Sequence, residues 1–164
     1  MALSEIRVGQ SESIPLAVIR RQARAPELAK VVPELCGVVW SSVRARGMKG
    51  GRHVAVFSNG TIRVSTETSP SKVEVGVEMF DSISDEGEVI RSATPAGRTA
   101  SVVHLGPYQQ LGTAHRAILD WCATHHLQLA GQSWEIYGHW EDGWNADPSK
   151  IRTDVFYQLA AVDC

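Results

Sequence analysis

The order strand, helix, strand, strand is predicted twice along this chain. In the first half these segments lie near Ile14–Gln22, Glu27–Arg46, His53–Ser58 and Val73–Met79. In the second half they lie near Arg98–Leu105, Pro107–His126, Ser133–Trp140 and Thr153–Leu159. Alternating apolar residues indicate the strands, and apolar spacings of three and four indicate the helices. The pattern predicts an α+β fold in which two pseudo-symmetric βαββ modules form an antiparallel sheet with two main helices.

The two modules have a direct register in the sequence. Laid 81 residues apart, Pro26 falls on Pro107 and Trp40 on Trp121, and the His53 strand falls on the Trp134 strand. Module one is predicted to span about residues 14–80 and module two about 97–160, within one domain of 164 residues. A ligand groove is expected at the module junction, where side chains from both halves converge.

The segments between these elements carry weaker signals. The first helix is predicted to bury one apolar stripe, formed by Leu28, Val32, Leu35, Val39 and Val43. Pro33 is expected to kink or restart it, and Gly47 to end it. A turn at Asn59–Gly60 precedes a stretch, Thr61–Ser65, that can form a further strand. Asp81–Ala96 is interpreted as the connector between the modules.

Charge and cysteine usage restrict the class of protein. The formal net charge is −2, and the basic clusters are short, which disfavours direct nucleic-acid binding. The three cysteines are widely spaced without a CxxC motif, which favours a reducing cytoplasm. A secretory signal is absent and no apolar run approaches about 20 residues, so no membrane contact is expected.

Metal and cofactor signatures are incomplete. Cys122, His125 and His126 form the one histidine and cysteine group, and it lacks a full set of tetrahedral ligands. We therefore expect neither a metal nor a cofactor.

A carboxylate and an aromatic ring share one face of a predicted strand. Glu135 and Tyr137 lie two residues apart in Trp134–Tyr137, so both point to the same side of the sheet. A carboxylate beside aromatic walls attracts lipophilic cations. The alternatives are that Glu135 faces water and that Tyr137 only packs in the core.

Three segments together resemble the GyrI-like family: Pro95–Tyr108, with its Pro-Ala-Gly-Arg and His-Leu-Gly-Pro-Tyr motifs, Trp134–Tyr137, and Lys150–Tyr157. The resemblance covers roughly Ile14–Ala160. Members are effector-binding domains of AraC-type and MerR-type multidrug-responsive regulators, and some stand alone. The family implies a ligand held between the modules by a central glutamate, which falls on Glu135.

The resemblance also supplies the aromatic neighbours of that glutamate. Tyr137, Tyr157 and Tyr108 are the partners most similar in place. Four tryptophans are further candidates for the walls of the ligand site, with packing in the core as their alternative role: Trp134, Trp144, Trp40 and Trp121.

The function predicted from these observations is binding of bulky aromatic or lipophilic cationic small molecules, for drug or toxin sensing or sequestration. A helix-turn-helix reader needs about 60 further residues, so the expected partner, besides the small molecule, is a separate regulatory protein or DNA gyrase. One alternative is a hydrolase of cyclopropane-bearing DNA-alkylating natural products, in which Glu135 and Tyr137 would be catalytic. The other is a gyrase-inhibitory protein, which the Trp-bearing segment 141–148 disfavours. For a binding protein no catalytic residue is assigned.

Overall fold

The computed structural model describes residues 1–66 and 68–161. Within these residues, nine strands form one antiparallel sheet: β1 (Ala2–Leu3), β2 (Arg7–Ser11), β3 (Pro15–Ala23), β4 (Gly50–Phe57), β5 (Ser71–Met79), β6 (Ile90–Ala93), β7 (Gly97–Leu105), β8 (Leu129–Tyr137) and β9 (Arg152–Leu159). The helices are α1 (Leu28–Ala45), α2 (Leu111–Thr124) and the short α3 (Gly143–Ala146). The predicted α+β class and both main helices are confirmed.

The two halves of the sheet meet at β4 and β8. The strand order is β1-β7-β9-β8-β4-β5-β3-β6, and β2 also pairs with β7. At the junction Ala55 lies directly opposite Glu135. Side chains from α1, α2 and the inward positions of the strands form one apolar core, so both helices cover the same face of the sheet.

Helix α1 buries the predicted stripe from Leu28 to Val43. It continues through Pro33 as one helix, without the restart expected from the sequence. Its end is set by Gly47, whose φ of +69° is left-handed. The backbone N–H of Met48 then donates to the Val43 carbonyl at 3.1 Å, which closes the last turn.

One interpretation of the connecting segments was wrong, and another was incomplete. The stretch Thr61–Ser65 contains a 3₁₀ turn at Ile62–Val64 instead of a strand. The segment Asp81–Ala96 is more than a connector, because its residues 90–93 form β6, which pairs with β3 along the sheet edge. Short polar segments carry little periodicity, so their conformation depends on the neighbours they meet.

The strand pairing also corrects the register of the two modules. Ala55 pairs with Val75 in module one, and Glu135 pairs with Val155 in module two, which places equivalent positions 80 residues apart. A change of one residue moves a strand side chain to the other face. Trp134 consequently corresponds to Val54 instead of His53. Trp134 and Val54 both lie in a second apolar cluster on the face away from the helices.

Candidate functional site

Glu135 is buried at the centre of the molecule, on the helix-covered face of the sheet. It lies in the middle of the β4–β8 junction and is 0% exposed. A carboxylate in such a place is stable only when hydrogen-bond donors surround it. The sequence alternative in which Glu135 faces water is therefore wrong.

Four donors surround the two carboxylate oxygens. Arg63 donates from Nη2 to Oε1 at 2.8 Å and from Nε to Oε2 at 2.9 Å. The Tyr137 hydroxyl donates to Oε1 at 2.5 Å, and His115 Nε2 lies 2.7 Å from Oε2. A carboxylate offers about four lone-pair sites. All of these sites on Glu135 are occupied by the protein itself.

A second tyrosine joins this network through the histidine. The other ring nitrogen of His115, Nδ1, lies 2.6 Å from the hydroxyl of Tyr157. In the tautomer whose Nε2–H donates to Glu135, Nδ1 accepts a hydrogen bond from the Tyr157 hydroxyl. Both side chains are buried, so the chain from Tyr157 to Glu135 is closed to bulk water.

Burial and neighbouring charges fix the protonation states of Glu135 and Tyr137. Burial by itself would raise the pKa of the Glu135 carboxyl, but the charge of Arg63 and the hydrogen bonds from His115 and Arg63 outweigh it and hold that pKa well below its usual range. Burial, followed by the neighbouring carboxylate, raises the pKa of Tyr137 far above that of a free tyrosine. Glu135 is therefore ionised, and Tyr137 is a neutral donor.

The turn that carries Arg63 is fixed to β8. The Gly60 N–H donates to the carbonyl of Gly131 at 2.8 Å, and the Ser133 hydroxyl donates to the carbonyl of Gly60 at 2.7 Å. A Cβ on Gly60 would lie 2.8 Å from the Gly131 oxygen, so only glycine allows this approach. The guanidinium of Arg63 lies 5.6 Å above the centre of the Phe57 ring.

Aromatic side chains form a row beside this polar network, running from one helix to the other. Trp40 of α1 contacts His53 of β4, with ring centres 5.5 Å apart. His53 lies opposite Tyr137 in the β4–β8 pairing. Tyr137 in turn meets the edge of Tyr108, just before α2, at 5.6 Å. We call these four residues the aromatic row.

A cavity of about 460 Å³ opens beside the Trp40 end of the row. This volume lies in the range of small-molecule sites. Its lining consists of Trp40, Arg44, Gly47, Met48, Lys49 and Gly50. Apolar surface from Trp40 and Met48 is thus combined with two basic side chains.

The structure brings only some of the predicted site residues together. Glu135, Tyr137, Tyr157 and Tyr108 lie in the network or in direct contact with it, and Trp40 belongs to the aromatic row.

The other three tryptophans have different neighbours. Trp134 stacks on Phe156 on the opposite face of the sheet. Trp144 is buried against Trp140 and Gly138. Trp121 stacks on His125 near the end of α2.

Two residues of the network were missed by the sequence analysis. His115 had a usable signal, because it is a polar residue on the buried stripe of α2, between Leu111 and Ile118. Arg63 had none. It lies 72 residues from Glu135 in a short polar turn, and no periodicity links the two.

Two kinds of feature are absent from residues 1–66 and 68–161. In these residues, no group of three or more histidine, cysteine, aspartate or glutamate side chains is arranged to hold a metal ion. The same residues include no helix with the length and apolar character needed to cross a bilayer.

The family of the chain follows from comparison with known proteins. The family model described as GyrI-like small molecule binding domain matches residues 4–160. The chain therefore belongs to the GyrI-like small-molecule-binding family, as the sequence motifs predicted. Comparison with curated proteins gives no match.

Solved structures share the fold at low sequence identity. The chain in the EcmrR–DNA complex has a TM-score of 0.76 at 15% identity, over 96% of this chain and 58% of that one. The EcmrR C-terminal domain has a TM-score of 0.73 at 19% identity, over 96% of this chain and 98% of that one. This chain thus spans a little more than half of the longer EcmrR chain.

Two further solved structures share the fold. A hydrolase encoded by lin2189 from Listeria innocua has a TM-score of 0.61 at 11% identity, over 95% of this chain and 92% of that one. SAV2435, bound to tetraphenylphosphonium, has a TM-score of 0.63 at 8% identity, over 96% of this chain and 95% of that one. At these identities the likeness shows a shared fold and nothing more.

Proposed function

We propose that this protein binds bulky aromatic small molecules at the junction of its two modules, as a sensing or sequestering domain. The observation that carries the proposal is the aromatic row, which crosses the helix-covered face of the sheet between α1 and α2 beside a buried ionised carboxylate. Flat and bulky aromatic molecules gain affinity from such surfaces without strict shape requirements. The tetraphenylphosphonium bound by SAV2435 is a ligand of this size class.

The rigidity of the network supports binding. Ordering a flexible site reduces affinity, whereas a site whose side chains are already fixed avoids that cost. Tyr137 is held by Glu135 and lies against Tyr108, so one wall of the site is in place before a ligand arrives.

Titration with a neutral aromatic fluorophore, Nile red, tests the proposal. We expect micromolar affinity for the wild-type protein and a loss of about tenfold in Tyr108→Ala, in the range of one lost aromatic contact. Tyr108 is 38% exposed, so its replacement leaves the core intact. Trp140→Ala is the matched control, because Trp140 is 52% exposed and its ring packs on Trp144 outside the aromatic row.

Two outcomes would refute this proposal. The first is the absence of saturable binding to the wild-type protein. The second is an equal loss of affinity in Tyr108→Ala and Trp140→Ala, which would place the dye on unspecific exposed surface.

Hydrolysis is the second candidate function, favoured by the chain of hydrogen bonds from Tyr157 through His115 to Glu135. A general base works best with a pKa near the working pH. The pKa of Glu135 is far lower, because Arg63 and His115 stabilise its ionised form. Binding is consequently the better-supported function.

Mass spectrometry after incubation with an electrophilic cyclopropane natural product separates the two functions. Recovery of the intact compound over several protein equivalents agrees with binding. Multiple turnovers that disappear in Glu135→Gln would establish the hydrolase.

We further propose that the domain makes no direct contact with DNA and that any regulatory role passes through a partner. The support is its net charge of −2, since DNA binding relies on clustered positive charge. Sequence-specific retention of a duplex at physiological salt in a mobility-shift assay would contradict this.

A further inference from the structure

Arg63 occupies the position in which a cationic ligand would pair with Glu135. Its Nε and Nη2 atoms bind both carboxylate oxygens in the bidentate geometry that suits a guanidinium and a carboxylate. The sequence analysis predicted that a carboxylate beside aromatic walls attracts lipophilic cations. In this chain the glutamate already has its counter-ion.

We infer that Arg63 sets the charge preference of the binding site, so that neutral and anionic aromatic molecules bind in preference to lipophilic cations. The inference rests on the proposed function, because it concerns the ligand class of the same site. It gives a specificity role to a residue that no sequence motif indicated.

Displacement of Arg63 by a ligand would be costly. Its side chain is only 16% exposed, and the turn that carries it is fixed to β8 through Gly60. A cation that replaced it would exchange one buried ion pair for another while leaving a guanidinium without its partner. Breaking a buried pair in this way is strongly unfavourable.

The other charges around the site do not favour a cation. Tyr137 is neutral. Burial also raises the pKa of Tyr157, and it raises the pKa of the Cys36 thiol to about 12. All three groups therefore stay protonated. The charged side chains that line the 460 Å³ cavity are Arg44 and Lys49. The polar network around Glu135 is therefore close to electroneutral, and the cavity beside the aromatic row is basic.

Two tetraphenyl ions of almost the same shape provide the test. Tetraphenylphosphonium is a cation and tetraphenylborate an anion, and triphenylphosphine oxide is a neutral aromatic of related shape. Affinities of all three are measured by calorimetry for the wild type and for Arg63→Met. The readout is the ratio of phosphonium to borate affinity, because a ratio cancels changes that affect both probes equally.

We expect the wild-type protein to bind borate and phosphine oxide more tightly than phosphonium. In Arg63→Met the carboxylate loses its counter-ion, and the phosphonium-to-borate ratio should rise by about tenfold or more. In Arg63→Met/Glu135→Gln both charges are gone, so the ratio should return to within about threefold of the wild-type value.

Two further variants protect the test. Arg63→Gln keeps an N–H donor for the carboxylate while removing the charge, and it gives the same readout if Arg63→Met does not fold. Arg20→Met is the matched control. It removes an arginine from a different ion pair, Arg20–Glu74, in which the arginine is half exposed.

Each outcome is decisive. A rise in the ratio for Arg63→Met or Arg63→Gln, with no change in Arg20→Met, supports the inference. Wild-type binding that favours phosphonium over borate, or a ratio that the Arg63 variants leave unchanged, overturns it while the proposed function stands. Absence of binding by all three probes in every variant overturns the proposed function, and the inference with it.

Discussion

The two modules have the same strand pairing but different chemistry on their inward faces. Positions related by 80 residues are Ala55 and Glu135, Phe57 and Tyr137, and Val77 and Tyr157. In module one these positions are apolar, whereas in module two they carry the carboxylate and both hydroxyls of the network. One half of the sheet is thus an ordinary apolar core, and the other holds a hydrogen-bonded polar cluster.

This difference shows how a repeated fold acquires a site. Apolar packing tolerates exchange of similar side chains, but a buried polar cluster is stable only when every member has its partner. Module two does not complete its cluster alone. The charge that balances Glu135 comes from Arg63 of module one, so the site also joins the two halves.

The largest effect is expected from removing the carboxylate alone. Glu135→Ala leaves the Arg63 guanidinium buried without its counter-ion, and it should lower the free energy of unfolding by about 3–5 kcal/mol. Urea denaturation measures it. Glu74→Ala is the control, because its partner Arg20 is 50% exposed and can be hydrated, so about 1 kcal/mol is expected. Equal losses would contradict the distinction between the modules.

Acid should weaken the polar module selectively. The pKa of Glu135 is lower in the folded than in the unfolded chain, where it is near 4.5. Its stabilising contribution is therefore complete above about pH 4.5 and is lost as the pH falls towards the folded value. Between pH 5 and pH 2 the wild type should lose about 2 kcal/mol more than Arg63→Met/Glu135→Gln, at most 1.4 kcal/mol per pH unit for one proton.

Unfolding of both proteins across this pH range, followed by circular dichroism, gives the comparison. The double variant retains the other carboxylates, including Glu78, whose pKa is also lowered. Parallel pH profiles would show that Glu135 is not the group responsible.

A methyl group at Gly60 should disturb the link between the modules. Its Cβ would meet the carbonyl oxygen of Gly131 at 2.8 Å, so the turn that carries Arg63 must move. We expect Gly60→Ala to cost about 1–2 kcal/mol and to raise the phosphonium-to-borate ratio towards that of Arg63→Met. Gly9→Ala, whose Cβ meets nothing within 4 Å, should leave both quantities unchanged.

The smallest effect concerns two buried histidines of module two. His115 has a hydrogen-bond partner on each ring nitrogen, whereas the His104 ring, among the described residues, meets the backbone of Gln110 outside ordinary hydrogen-bond geometry. His104→Leu removes a buried polar group without a well-formed hydrogen bond, and it should raise the free energy of unfolding by about 1 kcal/mol. His115→Leu should lower it. Thermal denaturation of the two variants checks the opposite signs, and a common sign would contradict this interpretation.

The amount that the sequence determined by itself is considerable. Periodicity located the two main helices and the six strands of the repeat, because side chains repeat every 3.6 residues in a helix and every two in a strand. The same alternation placed Glu135 and Tyr137 on one face, and the motifs from Pro95 to Tyr157 indicated the family. All of these are local signals, carried by residues that are neighbours in the chain.

Only the tertiary structure decided the state of the carboxylate. The partners of Glu135 on Arg63 and His115 lie 72 and 20 residues away, and the one-residue correction of the register between the modules came from strand pairing. Electrostatic interactions depend on distance in space and on burial, and neither is encoded by spacing along the chain. The sequence thus identified a glutamate with aromatic neighbours, and the fold supplied the arginine that neutralises it.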